Sequence, residues 1–470
     1  MKLRWLAVAA LFLAQPAGAA ERNSPQGQQA LEIYRTIIGF RTVKGSGQVP
    51  KMARYLASRL RAAGFARKDV EIVPVGETAG LIVTFRGSGD KPPILFLGHM
   101  DVVEARREDW QRDPFVLHEE DGHFFGRGTS DNKFGIAQLT AAFIDLKKQK
   151  FRPNRDLILA FSGDEETDML TTRALAARLA ARRPEFALNS DSGGGRADAQ
   201  GRPIHYAVQV AEKTFANIEV TIRNPGGHSA RPRADNAIYE LAEVLGKIRS
   251  YVFPVVLNDV TRAVIRDAAL QPNAPQAFRT AHAALSANPN DTQAVAMLSS
   301  DPRLSLSLRT TCVPTLIKGG HADNALPQSA TATVNCRIFP GVPIESVRAK
   351  LAELGGNPAA EWKVASEPLE APPSPENKAL FAAIAEAIAD RAPGVPIITY
   401  MTPGATDGKH FRARGIPTYG VSSDFSRQGE NTFAHGLNER VRVESFFESL
   451  DYWPRLIRLL AGEAGPSAVR

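Results

Sequence analysis

The chain has 470 residues, 43% of them hydrophobic and 23% charged, with a formal charge of +7. That length exceeds one core of ordinary size and predicts two domains of a soluble globular protein. Lys and Arg are scattered rather than striped, and no nucleic-acid motif accompanies them, so a solvated basic surface is expected and a nucleic-acid partner is not.

In chain order, Lys2 and Arg4 precede an apolar run, Trp5 to Ala14, and then small residues at 17–20. This is the pattern of a secretory signal peptide over residues 1–20, with an apolar run too short to span a bilayer. No later stretch approaches 18 consecutive apolar residues. The mature protein is therefore expected to be exported, periplasmic or secreted, without stable membrane insertion.

Gln28 to Gly64 keeps a helical apolar spacing, through Tyr55, Leu56, Leu60 and Ala63, apart from a turn region at 42–49. Val70–Val75 and Leu81–Phe85 read as strands. The stretch ILFLGHMDVV, residues 94–103, is the most telling. Ile94 to Leu97 suit a strand buried on both faces of a parallel sheet, and Gly98 ends the run. His99 and Asp101 then fall at the strand's carboxyl end, where open α/β sheets place their chemistry. An imidazole with an acid two residues on suits a metal ligand steadied through its second ring nitrogen; a structural histidine would look the same.

The GRGTSDNK segment, residues 126–133, leads into an amphipathic helix over Lys133–Lys150. Asp131 caps that helix or is delivered by the loop to the side of His99. Leu157–Phe161 is another buried strand, ending in Asp164, Glu165 and Glu166. Three adjacent acids at a buried strand end repel one another unless a cation is present, although a solvated loop would carry them freely. A helix over Leu170–Arg183 and a strand over Phe186–Leu188 lead to Asp191. Four segments can thus converge on one sheet edge.

From about Lys213 the pattern changes. Phe215–Ile222, Thr311–Ile317 and Ala330–Ile338 alternate as antiparallel strands do, and helices are expected at Asn236–Ser250 and Ile344–Leu354. This predicts an α+β domain over 213–366 inserted into an α/β domain made of 21–212 and 367–470. Residues 254–306 read as a helical excursion within it, and Glu367–Asn377 as the linker back. Glu376–Arg391 and Glu444–Leu460 are expected helices; Val395–Tyr400 and Ile416–Val421 are expected strands. His435 lies in a loop of this returning half. Cys312 and Cys336 fall in strand-like runs that could be neighbours, as a disulfide in an exported chain or as two buried thiols.

Two histidines and several acids form an N and O donor set that suits zinc and related divalent ions rather than calcium. A loop carboxylate can bridge two ions about 3.5–4 Å apart. One of the paired glutamates can then bind metal, leaving its neighbour free to take a proton from water.

The segments GHMDVV, GRGTSDNKFG, SGDEET, GGHSARP, HADNALPQ, NCRIFP and AHG occur in this order over nearly all of the mature chain. In them the chain resembles the M20 metallopeptidases, the clan of glutamate carboxypeptidase, aminoacylase and carboxypeptidase S. The resemblance implies an α/β catalytic domain of zinc-exopeptidase type, with a mixed sheet flanked by helices, and an inserted α+β lid or dimerisation domain. It implies a site of two divalent ions, zinc first and Co2+ or Mn2+ as alternatives. His99 and Asp191 would hold one ion, Glu166 and His435 the other, with Asp131 bridging them; many members carry Glu at the position matched here to Asp191. Glu165 would be general base and then acid, and Asp101 would orient His99. His228 would stabilise the oxyanion, in many members from a partner subunit. Asn324 and Arg337 would hold the substrate carboxylate, with Gly404 on a substrate-lining loop. The implied reaction is hydrolysis of a peptide or amide bond beside a free carboxylate, or deacylation of N-acyl amino acids. A homodimer through the lid is implied, as is the less favoured alternative of an inactive binding protein on the same fold.

Overall fold

The computed structural model describes residues 22–270, 274–300 and 308–462. The expected signal peptide, 1–20, lies outside them. No helix among the described residues is long and apolar enough to cross a membrane.

Burial on both faces explains the main sheet. Its strands run in the order Val70–Val75, Thr78–Phe85, Leu157–Ser162, Ile94–His99, Phe186–Asn189, Thr418–Gly420, Pro203–Glu212, Gly194–Ala197 and Phe425–Arg427, with Ile397–Thr402 also paired to Pro203–Glu212. The centre is parallel: Ile94 sits opposite both Leu157 and Phe186, and Thr418 opposite Ala187. Successive side chains point to opposite faces. Ile94 and Phe96 therefore join the core formed with helices Pro25–Ile38, Val49–Ala62, Lys133–Lys148 and Tyr452–Ala461. Leu95 and Leu97 join Leu175, Leu179 and Phe411 on the other side. Phe96 meets Phe143 edge-on at 5.5 Å and Trp453 at 6.0 Å, which locks the strand in depth as well as in register.

A second sheet, Thr311–Gly319, Ser329–Ile338, Thr214–Arg223 and Glu361–Val364, is antiparallel. Its inner face, with Ile218, Val220, Val334 and Ile338, packs on helices Ala237–Ser250 and Ile344–Gly355 through Leu241, Val244, Val347 and Leu351. Cys312 and Cys336 sit opposite each other on adjacent strands and are joined as a disulfide. The expected helical excursion is present as Asp259–Leu270, Gln276–Ala287 and Thr292–Ser299, with a small core of its own around Ile265, Phe278, Leu285 and Leu298. It also docks on the large sheet, where Asp267 accepts the main-chain N–H of Thr399 at 2.9 Å on the outer strand.

Several boundaries differ from the sequence expectation. The last helix is two, Val443–Glu448 and Tyr452–Ala461. The first two helices, Pro25–Ile38 and Val49–Ala62, flank the expected turn region with slightly shifted ends, and the helix expected at Glu376–Arg391 runs only over Lys378–Ala387. Pro203–Glu212, a ten-residue strand inside the main sheet, carries no expectation at all. Its Pro203, His205 and Gln209 interrupt the apolar run that marks the other buried strands.

Candidate active site

At the carboxyl ends of the parallel strands, six side chains from five segments meet. His99 is the last residue of its strand and fully buried. Its Nε2 lies 2.8 Å from Asp131 Oδ1 and 3.4 Å from Asp191 Oδ1. The other oxygen of Asp131 lies 3.1 Å from His435 Nε2, which is also 2.8 Å from Glu166 Oε1. Asp131 thus faces one imidazole with each oxygen. The donor atoms of His99, Asp131 and Asp191 fall within 4.8 Å of one another, as do those of Asp131, Glu166 and His435, and those of His99, Glu165 and Glu166.

Asp101 reaches His99 Nδ1 through its main-chain carbonyl at 3.0 Å, with its carboxylate further off at 3.6 Å. That carboxylate accepts the N–H groups of Glu165 and Glu166, each at 3.0 Å. One residue therefore sets both the imidazole and the paired glutamates. Asp164, first of the three acids, turns away: it accepts the N–H groups of Leu170 and Thr171 at the start of helix Leu170–Ala180. Two of the three acids are left for the cluster.

Charge in the cluster is balanced by protons when no cation is present. Burial would strip the His99 proton, but Asp191, Asp101 and Asp131 outweigh it and raise the imidazole well above its ordinary value. His435 is pushed up to about 10 by its bonds to Asp131 and Glu166. Burial raises Asp191 to about 7, and it lifts Glu165 well above the carboxylate range, helped by Asp191, Asp407 and Glu166. Asp131, although buried, is held low by His435 and His99. A donor set of two imidazoles and four carboxylates that must hold protons to stay neutral is the set that divalent cations satisfy. The cluster opens to solvent at His435, whose side chain is 54% exposed.

The other residues singled out from the sequence fall into two further groups. His228 and Asn324 are neighbours at a small exposed antiparallel strand pair, Gly227–His228 with Ala325–Leu326: His228 pairs with Ala325, and Ser229 N–H donates to the Asn324 carbonyl at 3.0 Å. Among the described residues no hydrogen bond or ion pair links His228 to the cluster. Arg337 and the Gly404 loop are together elsewhere, with Arg337 Nη1 donating to the Pro403 carbonyl at 3.2 Å.

Glu439 escaped the sequence reading. Fully buried, it accepts the N–H groups of Gly128, Ser130 and Asp131 at 2.8–3.0 Å and pairs with buried Arg127 at 2.7 Å. It fixes the Gly-rich loop that delivers Asp131. Asp407 is a second case: it accepts from Ser162 and Thr172 behind the cluster, and burial lifts it to about 6. The only local hint is that Glu439 stands four residues after His435 in an otherwise unpatterned loop.

On this fold, such a sheet-end cluster belongs to a hydrolase of carbon–nitrogen amide bonds. A family model, Peptidase family M20/M25/M40, matches residues 95–459, and the chain belongs to that family. It is 28% identical over 393 residues to the human N-fatty-acyl-amino acid synthase/hydrolase PM20D1, covering 80% of this chain and 76% of that protein. It is 25% identical to a probable carboxypeptidase S-like 2 of Dictyostelium discoideum, covering 80% and 74%. In fold it matches an M20 family metallo-carboxypeptidase, Sso-CP2 from Sulfolobus solfataricus, with a TM-score of 0.68 at 16% identity, covering 92% of this chain and 99% of that one.

Proposed function

We propose that the protein hydrolyses an amide bond beside a free carboxylate, with two divalent ions, zinc first, held at the sheet end. The observation that carries this reading is the split of Asp131 between two imidazoles, 2.8 Å to His99 and 3.1 Å to His435, beside a buried Glu165 whose carboxylate has no hydrogen bond of its own among the described residues. His99 and Asp191 would hold one ion, Glu166 and His435 the other, and Asp131 both. When bound, such ions lower the pKa of water and polarise the substrate carbonyl.

Glu165 takes the proton of the attacking water and returns it to the leaving amine. Its raised affinity for protons makes it competent in both directions. Asp101 aligns Glu165 and Glu166 through their N–H groups. Arg337 and the Gly404 loop receive the substrate's carboxylate, joined by Asn324 of a second copy of the chain, and His228 donates to the developing oxyanion. Since His228 stands apart from the cluster of its own chain, we assign that donation to a second copy in a homodimer. The exposed apolar residues Val313, Leu316 and Ile317 on the outer strand of the second sheet, with Ile238 and Tyr239 in the first turn of its packing helix Ala237–Ser250, support a pairing surface there. We take 21–212 with 367–470 as the catalytic unit, 213–366 as the lid, and the basic and apolar start of the chain as an export signal.

The human relative's name supports a second reading, deacylation of N-acyl amino acids. The two readings share the carboxylate-bearing half of the substrate and differ in the acyl half. Metal-replete protein should be assayed on dipeptides and on N-acyl amino acids, with and without chelator. Chelator-sensitive turnover of one class is expected; turnover of neither class, or turnover indifferent to chelator, would reject the reading.

A further inference from the structure

The acids of the cluster stand at the carboxyl ends of the parallel strands. At the amino ends the fold gathers cations that are far apart in sequence. Arg67 and Lys68 stand just before Val70–Val75, Lys91 before Ile94–His99, and Lys150 and Arg152 before Leu157–Ser162. These strands start at one edge: Val70–Val75 and Leu157–Ser162 are each antiparallel to Thr78–Phe85, and Leu157–Ser162 is parallel to Ile94–His99. The length of Ile94–His99 puts roughly 20 Å between this edge and the cluster.

The segments are fastened to one another. Ser88 N–H donates to the Pro153 carbonyl and Asp90 N–H to the Asn154 carbonyl, both at 3.0 Å, and Asn154 N–H to the Ala461 carbonyl at 2.9 Å. Beneath them the Phe85 ring lies 5.3 Å from that of Phe65 and 6.3 Å from that of Phe151.

All five cations are exposed, and among the described residues none of them makes an ion pair. The acids around them are claimed by other groups. Asp69 and Asp156 both pair with Arg86, at 2.9 and 3.3 Å, and Glu185 pairs with Arg155. Asp90 accepts the Ser88 hydroxyl at 2.6 Å, and buried Asp145 accepts from Gln29 at 3.2 Å. Lys147, Lys148 and Arg458 sit in the last turns of helices, where cations are favoured. None of the five lies in an α-helix, so helix ends do not account for them. Like charges held together at an exposed edge repel one another, and a broad anionic surface would relieve that repulsion. Leu459, directly after Arg458, is 47% exposed. An apolar side chain beside cations suits the boundary of a lipid headgroup layer better than the backbone of a nucleic acid.

We propose that this edge docks peripherally on a bilayer containing anionic lipids, with the opposite end and its candidate active site turned to solvent. The docking goes beyond the hydrolysis proposed above and does not rest on it.

Sedimentation with vesicles tests it. At about 0.1 M salt the protein is expected to bind vesicles of mixed phosphatidylglycerol and phosphatidylcholine at least about tenfold more tightly than vesicles of phosphatidylcholine alone, and the difference should vanish near about 0.5 M. The combined variant Lys68→Gln, Lys150→Gln, Arg152→Gln is expected to weaken binding to the anionic vesicles about a hundredfold, with Tm and turnover near those of the unaltered protein. A variant of equal charge, Arg249→Gln, Lys318→Gln, Lys378→Gln, removes exposed cations of other regions and should bind as the unaltered protein does. Equal binding to the two kinds of vesicle, or anionic binding that the first variant leaves intact, overturns the proposal. Equal weakening by both variants assigns the attraction to net charge and overturns it too. Tighter binding to duplex DNA than to anionic vesicles at the same salt, lost in the first variant, gives the edge to a nucleic acid and overturns the lipid assignment.

Discussion

The two sheets use similar apolar residues and bury them differently. In Ile94–His99 and Leu157–Ser162 every residue is buried, because helices cover both faces of the parallel sheet. In Ser329–Ile338 buried and half-buried residues alternate, since helices cover one face only. Where both faces are sealed, side chains reach open space only at strand ends, and that is where His99, Glu165 and Asp191 stand. The half-covered sheet keeps a free face and a free outer strand, suited to contact with another surface and not to a sequestered reaction.

The sharpest test of this contrast is Glu165→Gln at the sealed sheet's end. It should cut kcat by about a thousandfold while metal content and Tm stay near those of the unaltered protein. A near-normal rate would place the base elsewhere. Next comes Glu439→Ala, which leaves Arg127 buried and unpaired. A loss of about 3–5 kcal/mol in denaturant unfolding is expected, together with weaker metal retention; a loss under about 1 kcal/mol would mean that the Asp131 loop is held by other contacts.

A direct comparison of the sheets follows from Leu97→Ala and Ile317→Ser. Leu97 is fully buried and Ile317 is 65% exposed. The first should cost about 2–5 kcal/mol and the second should stay within about 0.5 kcal/mol. Similar losses would erase the distinction between the two sheets.

The smallest effect concerns pH. In the metal-free protein Asp191, raised to about 7, contributes stability that is present below the ordinary carboxylate range and lost as pH rises towards 7. His435 does the same from its ordinary value of 6.5 up to about 10, discounted for its exposure. Divalent ions need these groups without their protons. The rise in Tm on adding zinc should therefore be larger at pH 8 than at pH 5. An equal or opposite trend would show that metal does not displace protons from this cluster.

Much of this was readable beforehand where local pattern and tertiary role coincide. The Ile94–Leu97 run announces a doubly covered strand, and the acids after Leu157–Phe161 announce a strained strand end. The alternation in Ala330–Ile338 likewise predicts a one-faced sheet. What stayed hidden depends on partners far along the chain. Glu439 acts on a loop some 310 positions earlier, and nothing in its neighbours marks it. Pro203–Glu212 lies inside the main sheet, yet its polar residues mask it as a strand. The acid triplet did not reveal which member turns away, because Asp164 is claimed by amides six and seven residues later.

The dependence of the Asp131 loop on Glu439 also bears on how the molecule comes into being. Residues up to about 200 already contain His99, Asp131, Glu165, Glu166 and Asp191, but a growing polypeptide of that length lacks both His435 and the carboxylate that gathers the loop's three amides. Hydrolytic competence should therefore arise only when synthesis is almost complete. A partly made chain would be spared the capacity to cut its surroundings.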